Sequence, residues 1–204
     1  MNIYFTSDCP VQAAKDLAIT HRYRAMEEVG QMMSTAARLH GFDGGFPVAY
    51  EDHSMTKWIG RSRLHYAWCL EYIFTLYYEM NFPCSDHYAI HKQPTPLTNQ
   101  LLWTLALGEK SLPDRGWRNP PRCVPDEFKL DYGVWKASGE ENSSHVLSYR
   151  SYYANVKAKG FDCAEWDDCE KPSWFDDAVY VDVAECVVFG AAKDGAYSEA
   201  VGDA

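Results

Sequence analysis

Three side chains between residues 21 and 28 place an imidazole, a guanidinium and a carboxylate at helical spacing. His21, Arg24 and Glu28 fall at i, i+3 and i+7. At 100° per residue these positions, with Gln31 and Thr35, share one face of a helix. Together they could hold a phosphate and perform general acid–base work, Arg24 taking the anion and Glu28 the proton. The plainer alternative is an amphipathic helix whose Arg24 and Glu28, four residues apart, form a surface ion pair worth about 0.3–0.5 kcal/mol.

A second group follows. His53 stands before a run containing Trp58, Arg61 and His65. An arginine three residues from a tryptophan can bind a phosphate beside a stacked base. The cluster Tyr149-Arg150-Ser151-Tyr152-Tyr153 and the pair Trp174-Phe175 repeat the theme. The alternative in each case is aromatic core with polar tips reaching solvent. Cys84, Asp86, His87 and His91 form half of a metal site, which Cys163 and Cys169 could complete in space although no spacing in the sequence joins them to it. The expected site therefore holds no metal and no cofactor. Gly-rich phosphate loops, GxSxG and HExxH are absent, which removes the commonest nucleotide-fold, hydrolase and metalloprotease readings.

The elements that must carry these residues are helical. Residues 2–6 read as a short apolar strand or extended lead-in. Asp8 and Pro10 suggest a helix start, with a helix over about 10–18. A strongly periodic helix spans 21–40 and stops at Gly41; Met26, Val29, Met33, Ala36 and Ala37 form its core face. Residues 54–80 read as one long core helix. A helix is expected over 97–107, a short one from Pro125, and another from His145 to about Lys159 with Ser143 or Ser144 as cap. Residues 178–189 fit a strand or a helix equally. The sum is a mainly α, compact single-domain helical bundle over 1–159 with a short N-terminal extended segment, followed by an acidic extension over 160–204.

Charge supports that division. Residues 160–204 hold twelve of the 29 acidic residues and two of the 19 basic ones, which accounts for the whole net charge of −10. The first 159 residues are neutral and can still carry a local basic groove. The tail is expected to be solvated; mimicry of a polyanion is the alternative. Seven cysteines without a CxxC pair and a start without a signal-peptide pattern predict a reducing cytoplasm. No run approaches the roughly 20 apolar residues of a membrane span, so no membrane partner is expected.

Several pieces carry a resemblance. His21-x-x-Arg24-x-x-x-Glu28 followed by Gln31-Met32-Met33-Ser34-Thr35-Ala36 looks like a motif of small phage-encoded proteins. His53 before Trp58 and Arg61, Pro125-Asp126-Glu127-Phe128-Lys129, Tyr149-Arg150-x-Tyr152-Tyr153 and Pro172-x-Trp174-Phe175 match in the same order. More distantly the layout resembles the pyrimidine-dimer DNA glycosylase family of endonuclease V type. That family is a compact helical domain that excises a damaged pyrimidine and then cleaves the strand, with its N-terminal amine as nucleophile. Ala25 stands where the family's glutamate belongs, so the resemblance passes that role to Glu28 or Glu27.

The resemblance implies an enzyme acting on a pyrimidine-like base in DNA, glycosylase-like or base-modifying. Glu28, His21 and Arg24 would form its catalytic set. Arg24, Arg61 and Arg150 would hold phosphate, His21 and His53 would bond the base or sugar, and Trp58, Tyr152 and Trp174 would stack on it. Two other readings remain: an enzyme on free nucleotides, and a non-enzymatic phage accessory or inhibitor protein with a DNA-mimicking tail. A phage origin would place the chain in the host cytoplasm.

Overall fold

A computed structural model describes residues 3–81, 99–130, 143–159, 166 and 170–177. It is mainly helical, with no strand among the described residues. The helices are α1 (Pro10–Lys15), α2 (Ile19–Leu39), α3 (Ser54–Arg61), α4 (Arg63–Asn81), α5 (Asn99–Gly108), α6 (Ser144–Tyr152) and α7 (Trp174–Asp177). No helix among the described residues is long and apolar enough to cross a membrane.

The lead-in at residues 3–6 is extended and lies inside the bundle. Ile3, Tyr4, Phe5 and Thr6 are all buried. Phe5 stacks on Trp68 of α4 at 4.1 Å and meets Trp58 of α3 edge-on at 5.3 Å. Tyr4 packs against Tyr153, just past α6, at 5.1 Å. A buried extended chain must find partners for its backbone; the Thr6 carbonyl accepts from Arg150 Nε at 2.7 Å.

α2 carries the expected core face: Met26, Val29, Met33, Ala36 and Ala37 are fully buried. Its end is a Schellman turn, in which the Gly41 and Phe42 amides donate to the Arg38 and Ala37 carbonyls. Gly41 supplies the left-handed φ of +86° that this turn needs. Arg22 is buried at the other end. Its guanidinium donates to the carbonyls of Leu17 and Lys15 after α1, and pairs with Glu79 of α4 at 3.6 Å.

Three expectations need correction. The helix begun at Pro10 ends at Lys15 rather than near 18, and Asp8 does not cap it; the Asp8 carboxylate bonds Ser143 and His145 instead. The helix from Ser144 gives way at Tyr153 to a π-helical turn through Lys157. The long helix over 54–80 is two helices, because Ser62 is extended at φ −151° and ψ 144°. Ser62 starts α4 instead of continuing α3. Its carbonyl accepts from the His65 and Tyr66 amides, and its Oγ from the Leu64 amide at 3.4 Å. Serine favours such a role because its side chain competes for nearby backbone donors.

The break creates a docking point for residues 113–118. The Arg63 amide donates to the Pro113 carbonyl, the Arg115 amide to Ser62 Oγ, and the Arg118 amide to His65 Nε2 at 2.9 Å. The Trp58 indole N–H donates to the Arg118 carbonyl at 2.9 Å. His65 is fully buried, and its Nδ1 lies 2.7 Å from the Trp58 carbonyl. A carbonyl only accepts and an amide only donates, so His65 is neutral with its proton on Nδ1. Burial lowers its pKa, and Arg61 and Arg118 add to the effect.

Burial lowers the pKa of His53 and His145 as well. An unfolded histidine binds a proton near pH 6.5 while these native ones resist it. Their contribution to stability is therefore complete above about pH 6.5 and is lost as pH falls towards the lowered native values. The thermal midpoint should hold steady above that pH and drop below it. His65→Ala should cost about 2–4 kcal/mol in a urea titration at pH 7.5 through the lost ring and its two bonds. It should also shallow the acid-side fall.

Candidate functional site

The predicted residues divide into three groups in space. Arg24, Glu28 and Tyr152 lie within electrostatic reach of the Tyr4 phenol, and His53 within reach of Glu28. Burial raises the Tyr4 pKa first, Tyr152, Glu28 and Tyr153 add to this, and Arg24 opposes it. Tyr4 thus remains a protonated phenol bordered by a carboxylate, a guanidinium and a second phenol. His53 lies within electrostatic reach of Glu28: burial lowers its pKa, while Glu28 raises it. His53 is the N-cap of α3, its Nδ1 accepting from the Met55 amide at 3.2 Å. That bond leaves the proton of the neutral ring on Nε2. Arg24 is exposed and Glu28 half-buried, so the group faces solvent on one side. Tyr152 is half-buried, edge-on to Phe128 at 5.4 Å, with Lys157 Nζ 6.0 Å from its ring centre.

His21 joins this group through Tyr153. The Tyr153 hydroxyl accepts from the Ala18 amide at 2.9 Å and lies 2.7 Å from His21 Nδ1. The Tyr153 ring in turn packs on Tyr4. The four-residue spacing that would pair Arg24 with Glu28 gives no ion pair between them among the described residues.

Arg150 and Trp174 form the second group, and both are committed to internal contacts. Arg150 bonds the Thr6 carbonyl and lies with its guanidinium carbon 5.0 Å above the Trp174 ring. The Trp174 indole donates to Asp16 Oδ2 at 3.0 Å, and the Trp166 indole to the Asp16 carbonyl at 3.3 Å. Both tryptophans lie past residue 160, so the start of the acidic extension packs on the body. Most of that extension lies outside the described residues.

Trp58 and Arg61 form the third group. Trp58 is a correction in role: its ring is buried, stacked on His65 at 4.3 Å and 10°, and bounded by Phe5 and Trp117. Its indole N–H is taken by Arg118. No face remains for a base. Arg61 is exposed at the other end of α3 from His53.

Sequence reasoning passed over four residues here. Tyr4 and Tyr153 read as apolar lead-in and core, yet their phenols link the polar side chains. Cys123 is half-buried, its amide donating to Tyr149 Oη at 3.1 Å. Burial raises its thiol pKa, while a hydrogen bond from Tyr149 and the charge of Lys129 oppose this. Tyr72 is fully buried and its hydroxyl has no partner among the described residues. Burial, Tyr153, Tyr4, Cys69 and Glu28 all raise its pKa. Tyr153 stands in the Tyr149–Tyr153 cluster without a role of its own, and no composition or spacing signal marks the other three.

A Ser–His–Asp set also exists, but not as a catalytic relay. Ser143 Oγ and Asp8 Oδ1 meet the same ring atom, His145 Nε2, at 3.1 and 2.9 Å. A relay needs the two partners on opposite nitrogens. No metal-binding group of three His, Cys, Asp or Glu occurs among the described residues. Cys84, His87, His91, Cys163 and Cys169 lie outside them. No family model matches this chain, and no curated protein or solved structure matches it either.

Because the Tyr153 hydroxyl satisfies a buried amide, Tyr153→Phe should cost about 1–3 kcal/mol in urea unfolding. Arg24→Ala, at an exposed position, should stay within about 0.5 kcal/mol of the parent. Such a contrast separates the scaffold of the cluster from its chemical edge.

Proposed function

We propose that the chain is an enzyme acting on a pyrimidine-like base in DNA, with Glu28 as the general acid or base. The supporting observation is that Glu28, Arg24 and Tyr152 lie within electrostatic reach of one buried phenol, Tyr4, and His53 within reach of Glu28. Arg24, exposed beside Glu28, takes the phosphate next to the target nucleotide. The Nε2 proton of neutral His53 and the Tyr4 hydroxyl are donors for the carbonyl oxygens of a pyrimidine. Tyr152 offers a partly exposed ring for the extruded base, whose unstacking costs a few kcal/mol that ring contact offsets. Arg150 and Trp174 hold the support from behind, through Thr6 and Asp16.

Positive charge grows on a sugar as its glycosidic bond breaks, and a carboxylate at Glu28 stabilises it. A base-modifying reaction would use the same carboxylate to move a proton. Among the described residues Cys9 and Cys69 are free thiols, which suits a reducing cytoplasm.

The chain should be incubated with oligonucleotides carrying a pyrimidine dimer, an abasic site or a modified pyrimidine, and the bases and strands analysed by mass spectrometry. Glu28→Gln should lower the rate by about 100-fold or more, the range of general acid–base catalysis. Arg24→Ala should weaken substrate binding with a smaller effect on the chemical step. Absence of any released or altered base with the parent chain overturns the reading. Stabilisation by mononucleotides without action on any strand would favour a free-nucleotide substrate.

A further inference from the structure

The corner between α3 and α4 carries a second charged surface. α3 has eight residues and rises about 12 Å from its His53 cap to Arg61. Beyond that end lie Arg61, Arg63, Arg115 and Arg118, all exposed. None of the four has an ion-pair partner among the described residues. Their proximity follows from the bonds that pin the loop. The Arg63 amide reaches Pro113, the Arg115 amide reaches Ser62, and the Arg118 amide reaches His65. The charges of Arg61 and Arg118 both act on His65. Asp114 is the one acidic side chain in residues 112–119. In a body with no net charge, this corner is a concentrated positive field.

Trp117 sits among these arginines. Its ring stands nearly perpendicular to Trp58 and His65, at 5.5 and 5.3 Å, and stays 42% exposed. The loop backbone is already held, so ordering it costs a ligand little. Guanidinium forks match phosphate oxygens, and an indole offers a face to any base. A duplex keeps its bases stacked and gives Trp117 nothing to bind; a single strand does not.

We propose that Arg61, Arg63, Arg115, Arg118 and Trp117 form a track for a single strand of nucleic acid, the phosphodiesters pairing with the guanidiniums and one unstacked base lying on the indole. The track lies one helix length from His53, so a strand crossing it can continue to the Tyr4 cluster. It extends the base-directed reading without depending on it, since the track binds a strand whether or not Glu28 does chemistry.

Fluorescence anisotropy of the full chain with a labelled thymidylate strand of about twenty nucleotides, and with the matching duplex, tests this. The single strand should bind more tightly than the duplex. The logarithm of its association constant should fall with that of salt at a slope of about −2 to −3, as for three or four neutralised phosphates. The double variant Arg61→Ala/Arg118→Ala should reduce that slope by about 1. Trp117→Ala should weaken binding roughly 5- to 150-fold, and Trp117→Phe should retain most of the affinity.

Thermal midpoints identify any variant that fails to fold, and the exposed arginines keep the test decisive if Trp117→Ala is one of them. Equal or tighter duplex binding, no binding at about 50 mM salt, unchanged affinity in the arginine double variant, or tighter binding of polyglutamate each overturns the track. Strand binding that survives in Glu28→Gln while base chemistry is lost supports both proposals. Strand binding without chemistry in the parent supports the track alone.

Discussion

The interior is organised around a backbone that makes no helix. Residues 3–6 run extended through a bundle of helices, and a chain in that state cannot satisfy its own polar groups. Arg150 supplies a donor to the Thr6 carbonyl from α6, and the flanking rings close around Tyr4 and Phe5. α3, α4 and α6 each give an aromatic side chain to Phe5. The candidate site inherits its position from this arrangement. Tyr4 packs on Tyr149 and Tyr153 and lies within electrostatic reach of Glu28 and Arg24 of α2. The arginine that a sequence reading assigns to phosphate is therefore the one that holds the floor of the site.

Polar side chains in this interior serve mainly as fixed hydrogen-bond junctions. Arg22 gathers two carbonyls and a carboxylate, Tyr153 an amide and an imidazole, His65 a carbonyl and an amide. Each joins segments distant in sequence, and each would carry a penalty of about 1–3 kcal/mol if its partners were removed. Tyr72 departs from this pattern. Its hydroxyl is enclosed near Tyr4, Tyr153 and Glu28 and has no partner among the described residues.

Helical periodicity made the core face of α2 and the mainly α class legible, because apolar spacing reports directly on which side of a helix is buried. Gly41 marked the end of α2 for the same local reason. The break at Ser62 was not legible: besides the amides of α4, its stabilising partners come from residues 113–118, far along the chain. The candidate site was readable only in part. Glu28, Arg24 and His53 stand out as polar types at informative spacing. Tyr4, within electrostatic reach of Glu28 and Arg24, lies in an apolar lead-in whose path through the core depends on tertiary packing. Trp58 misleads for the opposite reason. An aromatic near an arginine looks like a stacking platform, yet the sequence does not show that His65 and Phe5 already cover it. Arg150 and Trp174 are likewise turned inward by partners, Thr6 and Asp16, more than a hundred residues away.

The corner at Ser62 bears on how the chain assembles. Ser62 Oγ and His65 Nε2 each receive an amide from 53 residues downstream. Closing that much otherwise unformed chain costs about 3.5 kcal/mol beyond a constant, while two net hydrogen bonds return about 1 kcal/mol each. The deficit is met by apolar surface: the Trp117 ring reaches Trp58 and His65, and Leu112 is buried, only when the loop arrives. Helical turns on either side of Ser62 are local and quick to form, whereas their mutual angle belongs to a late, cooperative closure. The bend that sets the direction of α3 is thus a kinetic latecomer built from solvent exclusion.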